Sequence, residues 1–379
     1  MPVMSLVLVL SFAHGAAGSI EPQPLLDGLA FPTNMAVLPD GAFVFAEKET
    51  GSVRIVTPDG ELIDRPLTTV AVSPGAERGL LGIAVHPDFE REPWIYLYLS
   101  DPADGLNRLV RVRTDGAVAT GDPETLLVGL SAAAGYHNGG DLVFAPDGTL
   151  FVALGEAHEP ERAQDRDDIG GKILRLEADG DVPPDNPFGR GNPAWSVGHR
   201  NSFGLCVDPT TGELWETENG PAVDDEVNLI EEGANYGWPV VTGRAVDERF
   251  VDPIAVFPSP IAVTGCAVVD GDLWFGSFDG RLWRLIRGQR TPREVARFPA
   301  GVTDVVLGLD RLLLVATADA IWTVDPSAQD GAPSPGGEPR NPWRVAVTIA
   351  LLAVLGVALV ARFAAGRRLD RGNRADRVR

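Results

Sequence analysis

Six times between residues 31 and 324 the chain repeats one pattern: a short apolar strand, a polar turn that often reads PDG, a second apolar strand, and usually a third. The copies begin FPTNMAVLPDGAFVFAEKETGSVRIV at Phe31, GLLGIAVHPDFEREPWIYLYLS at Gly79 and GGDLVFAPDGTLFVALGE at Gly139. They continue NSFGLCVDPTTGELWETENG at Asn201, AVTGCAVVDGDLWFGSFDGRLWRLI at Ala262 and GVTDVVLGLDRLLLVATADAIWTV at Gly301. A period of roughly 40 to 60 residues is that of a β-propeller, whose small antiparallel sheets pack around a central channel. With 43 glycines and 31 prolines to make turns, the fold class expected is all-β, a six-bladed β-propeller. Asp279-Gly280, between two alternating runs, reads as a two-residue hairpin turn. The last copy ends after a third strand at Asp325, so the segment 22–29 is expected to supply its fourth strand and close the ring.

Strand polarity then places the loops. The first strand of a blade crosses the ring and the second returns. The start of the first and the end of the second must therefore share a face, with the PDG turns on the other. YHNGGD (Tyr136 to Asp141) and WSVGHRN (Trp195 to Asn201) precede first strands, whereas ENGPAVDDE and the charged insertion 157–170 follow second strands. All four converge on one mouth.

The residues gathered there can do chemistry. His137 is one of five histidines, and an imidazole titrating near neutrality can serve as a general base; a turn residue is the other reading. Gly139 and Gly140 allow close approach of backbone or ligand. Arg200 offers a planar fork of donors to a carboxylate or a polarised carbonyl, with Asn201 beside it. Asp224, Asp225 and Glu226, with the carbonyls of Gly220 and Pro221 and a nearby Tyr236, make an oxygen-rich set suited to calcium; a solvated acidic turn is the alternative.

The ends read differently from the middle. Residues 1–18 have the apolar run and small residues of a signal peptide. The uncharged run Val345 to Ala361 would span roughly 25 Å as a helix, enough to cross a membrane with Arg344 and Arg362 snorkelling. The expected organisation is a signal peptide (1–18), a propeller (19–325), a Pro/Gly-rich stalk (326–342), a single transmembrane helix (343–365) and a basic cytoplasmic tail (366–379). The positive-inside rule puts the C-terminus in the cytoplasm and the propeller outside the cytoplasm. From Arg362 onward seven arginines and two aspartates give +5, so the rest of the chain carries −21 − 5 = −26. So acidic an ectodomain argues against nucleic acid as a partner. Cys206 and Cys266 are the only cysteines and occupy matching positions of two repeats. An exported setting permits a disulfide between them, and two buried thiols are the other possibility.

The order of ERGLLGIAVHPDF, HNGGDLVFAPDGTLFVALGE, GGKILRLEADGDVPPDNPF, WSVGHRNSFGL and ENGPAVDDEVNLIEEGANYGWP resembles that of the soluble PQQ-dependent glucose and aldose sugar dehydrogenases. The resemblance covers the whole propeller and is strongest over 77–239. It implies oxidation of a sugar hydroxyl by hydride transfer to pyrroloquinoline quinone (PQQ), with calcium at the mouth and an electron acceptor it does not identify. His137 matches the base, and Arg200 and Asn201 the pair at the quinone, where Arg200 would stabilise developing negative charge. Glu77, Gly139 and Thr264 fall at cofactor-contact positions. Gly220 and Pro221 match carbonyl ligands of the cofactor-bound calcium, and Glu226 and Tyr236 match positions that hold a structural calcium. The sequence also departs from the pattern. Gly301 and Thr303 replace two arginines that grip the cofactor's carboxylates, Asp279 replaces a lysine, Glu77 stands where Gln is common and Glu156 where Asp is. The connection between Pro239 and Pro258 lacks a covering aromatic. Arg244, Arg281 or Arg290 could compensate for the lost charge. Two further functions fit the same scaffold, a non-catalytic cell-surface binding module and a calcium-dependent lactonase.

Overall fold

The computed structural model describes residues 19–328. The signal segment, the transmembrane helix, the tail and nearly all of the stalk lie outside the described residues. Among those described, no helix is long and apolar enough to cross a membrane.

Six four-stranded antiparallel sheets form the ring. Blades one to five occupy residues 32–69, 80–131, 142–197, 202–257 and 263–297. Blade six takes three strands from 302–324 and its outermost from Gln23–Asp27, which pairs with Ala320–Val324. The N-terminal segment thus closes the ring as expected, tying the two ends of the propeller sequence together. The turn in blade five is longer than expected: Ser277 pairs with Arg281, leaving three loop residues. Gly280 takes the left-handed backbone at φ +85° that such a loop requires.

The innermost strands carry the device that fixes the mouth. Five of them bulge at their second or third residue, so that the strand turns inward before pairing resumes. The residues at that level are Asn34, Gly82, Asp141, Gly204, Gly265 and Asp304, one per blade. Asp304 Oδ2 accepts the Met35 N–H at 2.7 Å, Asn34 Oδ1 accepts the Ile83 N–H at 2.8 Å, and Asp141 Oδ2 accepts the Leu205 N–H at 2.6 Å. Asn34 Nδ2 reaches across to Asp141 Oδ1 at 3.0 Å. The glycines between them are needed for space: a Cβ on Gly265 would lie 2.0 Å from Asp304 Oδ1, and one on Gly82 would lie 1.9 Å from the Gly140 carbonyl. Burial pushes Asp141 up to about 6, and burial together with the charge of Asp141 raises Asp304 well above the carboxylate range.

Apolar residues of adjacent blades fill the spaces between sheets. Cys206 and Cys266, on the inner strands of blades four and five, form a disulfide with Cα atoms 5.7 Å apart.

Candidate functional site

A cavity of about 540 Å³ opens at the face predicted from strand polarity. His137, Glu77, Gly139, Arg200, Asn201, Gly220 and Thr264 all line it. Pro221, Glu226 and Tyr236 do not. They surround a much smaller adjoining recess that also touches Arg200 and Gly220.

The loop YHNGGD holds the imidazole through its backbone. His137 has φ +56°, unusual for a side chain larger than glycine, and its N–H donates to Glu77 Oε2 at 2.7 Å. Its carbonyl accepts the Ala157 N–H at 3.1 Å. Gly139 and Gly155 let the two segments touch: a Cβ on Gly139 would lie 2.7 Å from the Ala153 carbonyl, and one on Gly155 2.2 Å from that of His137. Gly139 of the motif therefore serves backbone packing, and Gly140 makes room for the Tyr98 ring. His137 Nδ1 lies 2.7 Å from Oε2 of the fully buried Glu156. An ionised carboxylate only accepts, so Nδ1 carries the proton and Nε2 is left as the basic nitrogen. Exposed His158 stacks on the His137 ring at 4.1 Å, and its N–H donates to the same Glu156 oxygen.

Arg200 and Asn201 sit across the cavity. Arg200 Nη1 donates to the carbonyls of Asn219 (2.8 Å) and Gly220 (2.9 Å), and its backbone N–H bonds to Glu218. Burial lowers its pKa, opposed by Glu156, Glu218 and Glu77, and it remains a cation. Asn201 Nδ2 donates to Glu77 Oε2 at 3.2 Å, so one carboxylate joins His137 to Asn201. Arg200 Nε and Asn201 Oδ1 are buried with no partner among the described residues. A free donor and a free acceptor at a cavity wall are the groups a polar ligand would satisfy.

Behind Arg200 lies a buried charge cluster. His199 Nδ1 is 3.0 Å from Glu216 and 3.2 Å from Glu218, and its Nε2 is 2.8 Å from Ser196 Oγ. Burial alone would lower the His199 pKa, but the two carboxylates outweigh it and raise it to about 10. Glu226 accepts from the Gly243 N–H (2.6 Å) and Asn228 (3.3 Å), and burial and the charge of Glu218 push it up to about 8. Tyr236 stacks on the His199 ring and donates to the Leu229 carbonyl. The sequence reading missed His199, Glu216 and Glu218, because nothing in their spacing shows that the loop before the first strand of blade four folds its imidazole against two same-face carboxylates of the second.

It also missed cavity residues that its own polarity rule selects. Lys48 follows the second strand of blade one and Phe278 that of blade five, and both line the cavity. The departures in blade six have a steric counterpart. A Cβ on Gly301 would lie 2.5 Å from the Phe278 carbonyl and 2.8 Å from its ring, and Thr303 Oγ1 donates to the Pro32 carbonyl at 2.7 Å. None of Arg244, Arg281 and Arg290 lines the cavity. Arg281 pairs with Asp279, and Arg244 donates to the Ile254 carbonyl.

The glucose/sorbosone dehydrogenase family model matches residues 29–287. Aldose sugar dehydrogenase YliI of Escherichia coli is 34% identical over 297 residues, covering 71% of this chain and 79% of that protein. Quinoprotein glucose dehydrogenase B of Acinetobacter calcoaceticus is 31% identical over 271 residues, covering 63% of this chain and 56% of that protein. The PQQ-bound aldose sugar dehydrogenase of Streptomyces coelicolor superposes with a TM-score of 0.74 at 32% identity, over 82% of this chain and 99% of that one. By fold, by motif order and by these similarities, the chain belongs to the glucose/sorbosone dehydrogenase family.

Proposed function

We propose that this protein oxidises an aldose hydroxyl with PQQ as hydride acceptor and His137 as base. The observation that carries the reading is His137 at the cavity wall, with its Nδ1 held 2.7 Å from buried Glu156, which leaves Nε2 to take a proton. The alcohol O–H proton goes to that nitrogen while the carbinol C–H leaves as hydride, and the C–O bond becomes a carbonyl. Glu156 stabilises the imidazolium that forms. Arg200 places fixed positive charge where negative charge develops during the transfer.

The residues fit the cofactor. PQQ would be held by Arg200, Asn201, Thr264 and the Glu77–Gly139 wall, and it would supply the two-electron acceptor that no side chain can provide. The unpaired Arg200 Nε and Asn201 Oδ1 offer it a donor and an acceptor, and the cavity volume suits a small planar ligand. Calcium fits by donor chemistry. A cation on the Gly220 and Pro221 carbonyls would compete with Arg200, which now holds the Gly220 carbonyl. A second cation at Glu226 and Tyr236 would relieve the crowding of buried carboxylates there. We propose further that the protein is tethered by 343–365 with the propeller outside the cytoplasm. The uncharged run and the basic segment after it support this.

The test is turnover. Purified protein supplied with PQQ and calcium should oxidise aldoses with an artificial electron acceptor, and lose that activity without PQQ. Turnover without PQQ, or none with it, would overturn the proposal.

A further inference from the structure

One arginine and one lysine line the cavity, Arg200 and Lys48. They stand on opposite sides of the ring, Arg200 at the entry to blade four and Lys48 at the end of the second strand of blade one. Arg200 is committed to two backbone carbonyls. Lys48 has no such commitment. Its backbone is fixed: its N–H donates to the Phe31 carbonyl (3.0 Å) and its carbonyl accepts the Leu80 N–H (3.1 Å). Gly79 packs so closely that a Cβ would lie 2.3 Å from the Lys48 carbonyl. The Lys48 side chain is nearly buried, with Nζ 4.9 Å from the centre of the Phe31 ring. Its carboxylate partner is Glu49, which is half exposed. Because Glu49 reaches solvent, a ligand carboxylate can take its place on the buried ammonium.

The position of Lys48 matters as much as its charge. Phe31 neighbours Phe278, with ring centres 6.3 Å apart, and Phe278 covers Gly301. Pro32, next to Phe31, is bonded to Thr303. Lys48 therefore stands beside the loop where blade six has Gly301 and Thr303. We infer that Lys48 is the cation that anchors a carboxylate of the aromatic polycarboxylate cofactor, with Phe31 and Phe278 as the adjoining apolar wall. The charge that blade six lacks is supplied from the neighbouring blade. This inference rests on the PQQ reading above.

Binding, measured apart from turnover, tests it. Full-length protein with calcium is titrated with PQQ, followed by quenching of tryptophan fluorescence. Wild-type protein should bind in the micromolar range or tighter. Lys48→Gln should raise Kd by about 10- to 100-fold, the cost of one charge-assisted hydrogen bond, and Lys48→Arg should stay within a few-fold of wild type. If wild type binds and Lys48→Gln binds within about twofold of it, the Lys48 assignment is wrong and the PQQ reading stands. If wild type does not bind, both fall. Should Lys48→Gln lose its cooperative thermal transition, Glu49→Gln decides instead. Removing the competing carboxylate should lower Kd several-fold, and an unchanged Kd would overturn the inference.

Discussion

Glu156 is buried, accepts from both His137 Nδ1 and the His158 backbone N–H, and so sets the imidazole while its charge also supports Arg200. Glu156→Gln should keep the fold and cut kcat by about 10²-fold. His137→Ala should cut it by about 10²- to 10⁴-fold, the usual worth of a positioned base. Steady-state kinetics at saturating PQQ checks both, and near-wild-type turnover in either variant would remove the base from the account. Gly139→Ala acts on stability instead. Its φ of +63° and a Cβ 2.7 Å from the Ala153 carbonyl predict a loss of about 1–3 kcal/mol, read from the denaturation midpoint. At this scale the sequence was legible where residue type and loop position coincided, as at His137, Arg200 and Asn201. At Lys48 it was legible only in part: strand polarity places the residue at the same mouth, just past the second strand of blade one, but nothing local distinguishes its side chain from that of any solvated lysine. Nor could it show that Arg200 would take the Gly220 carbonyl, since that depends on side-chain direction across 20 residues.

Among the elements, the bulged inner strands and the loops above them were the most predictable part. Apolar–polar alternation gave the strands, PDG gave the outer turns, and antiparallel polarity alone assigned the mouth. Asp279-Gly280 shows the limit: the turn dipeptide was visible, but the pairing of Ser277 with Arg281 that sets loop length was not. Cys206 and Cys266 left two possibilities at the sequence level, and the adjacency of their strands decides for a disulfide. The bridge closes a 60-residue separation between blades four and five. Reducing it should lower stability by about 2–4 kcal/mol while leaving the other blade contacts in place. Urea denaturation with and without reductant measures this, and coincident curves would show that the bridge carries no stability. Lys172, fully buried and donating to the carbonyls of Arg162, Ala163 and Gly170, pins the insertion between the second and third strands of blade three.

For the whole molecule, six copies and a borrowed N-terminal strand were enough to specify closure. The ring of Asn34, Asp141 and Asp304 that fastens the blades was not foreseen, since it needs the inner strands to be superposed at one level. That ring makes stability depend on pH. The folded pKa of Asp141 is raised to about 6 from 3.8 by burial, so the folded state binds more protons than the unfolded state between these values. Stability should therefore fall as pH rises from about 4 to 6, by an amount on the order of 3 kcal/mol for this carboxyl, and should not recover above it. Asp304, raised in the same direction, adds to the decline. Asp304→Asn should flatten the curve of urea midpoint against pH, and an identical slope in the variant would show that the decline arises elsewhere. Catalysis is tested most directly by a single turnover. Protein loaded with PQQ and calcium, mixed anaerobically with an aldose and no acceptor, should show the absorbance change of quinone reduction in one exponential phase. In His137→Ala with the same PQQ loading, that phase should slow by at least about 10²-fold. Reduction at equal rates in the two proteins, or no reduction in the wild type, would contradict the account of this propeller as a base-assisted sugar dehydrogenase.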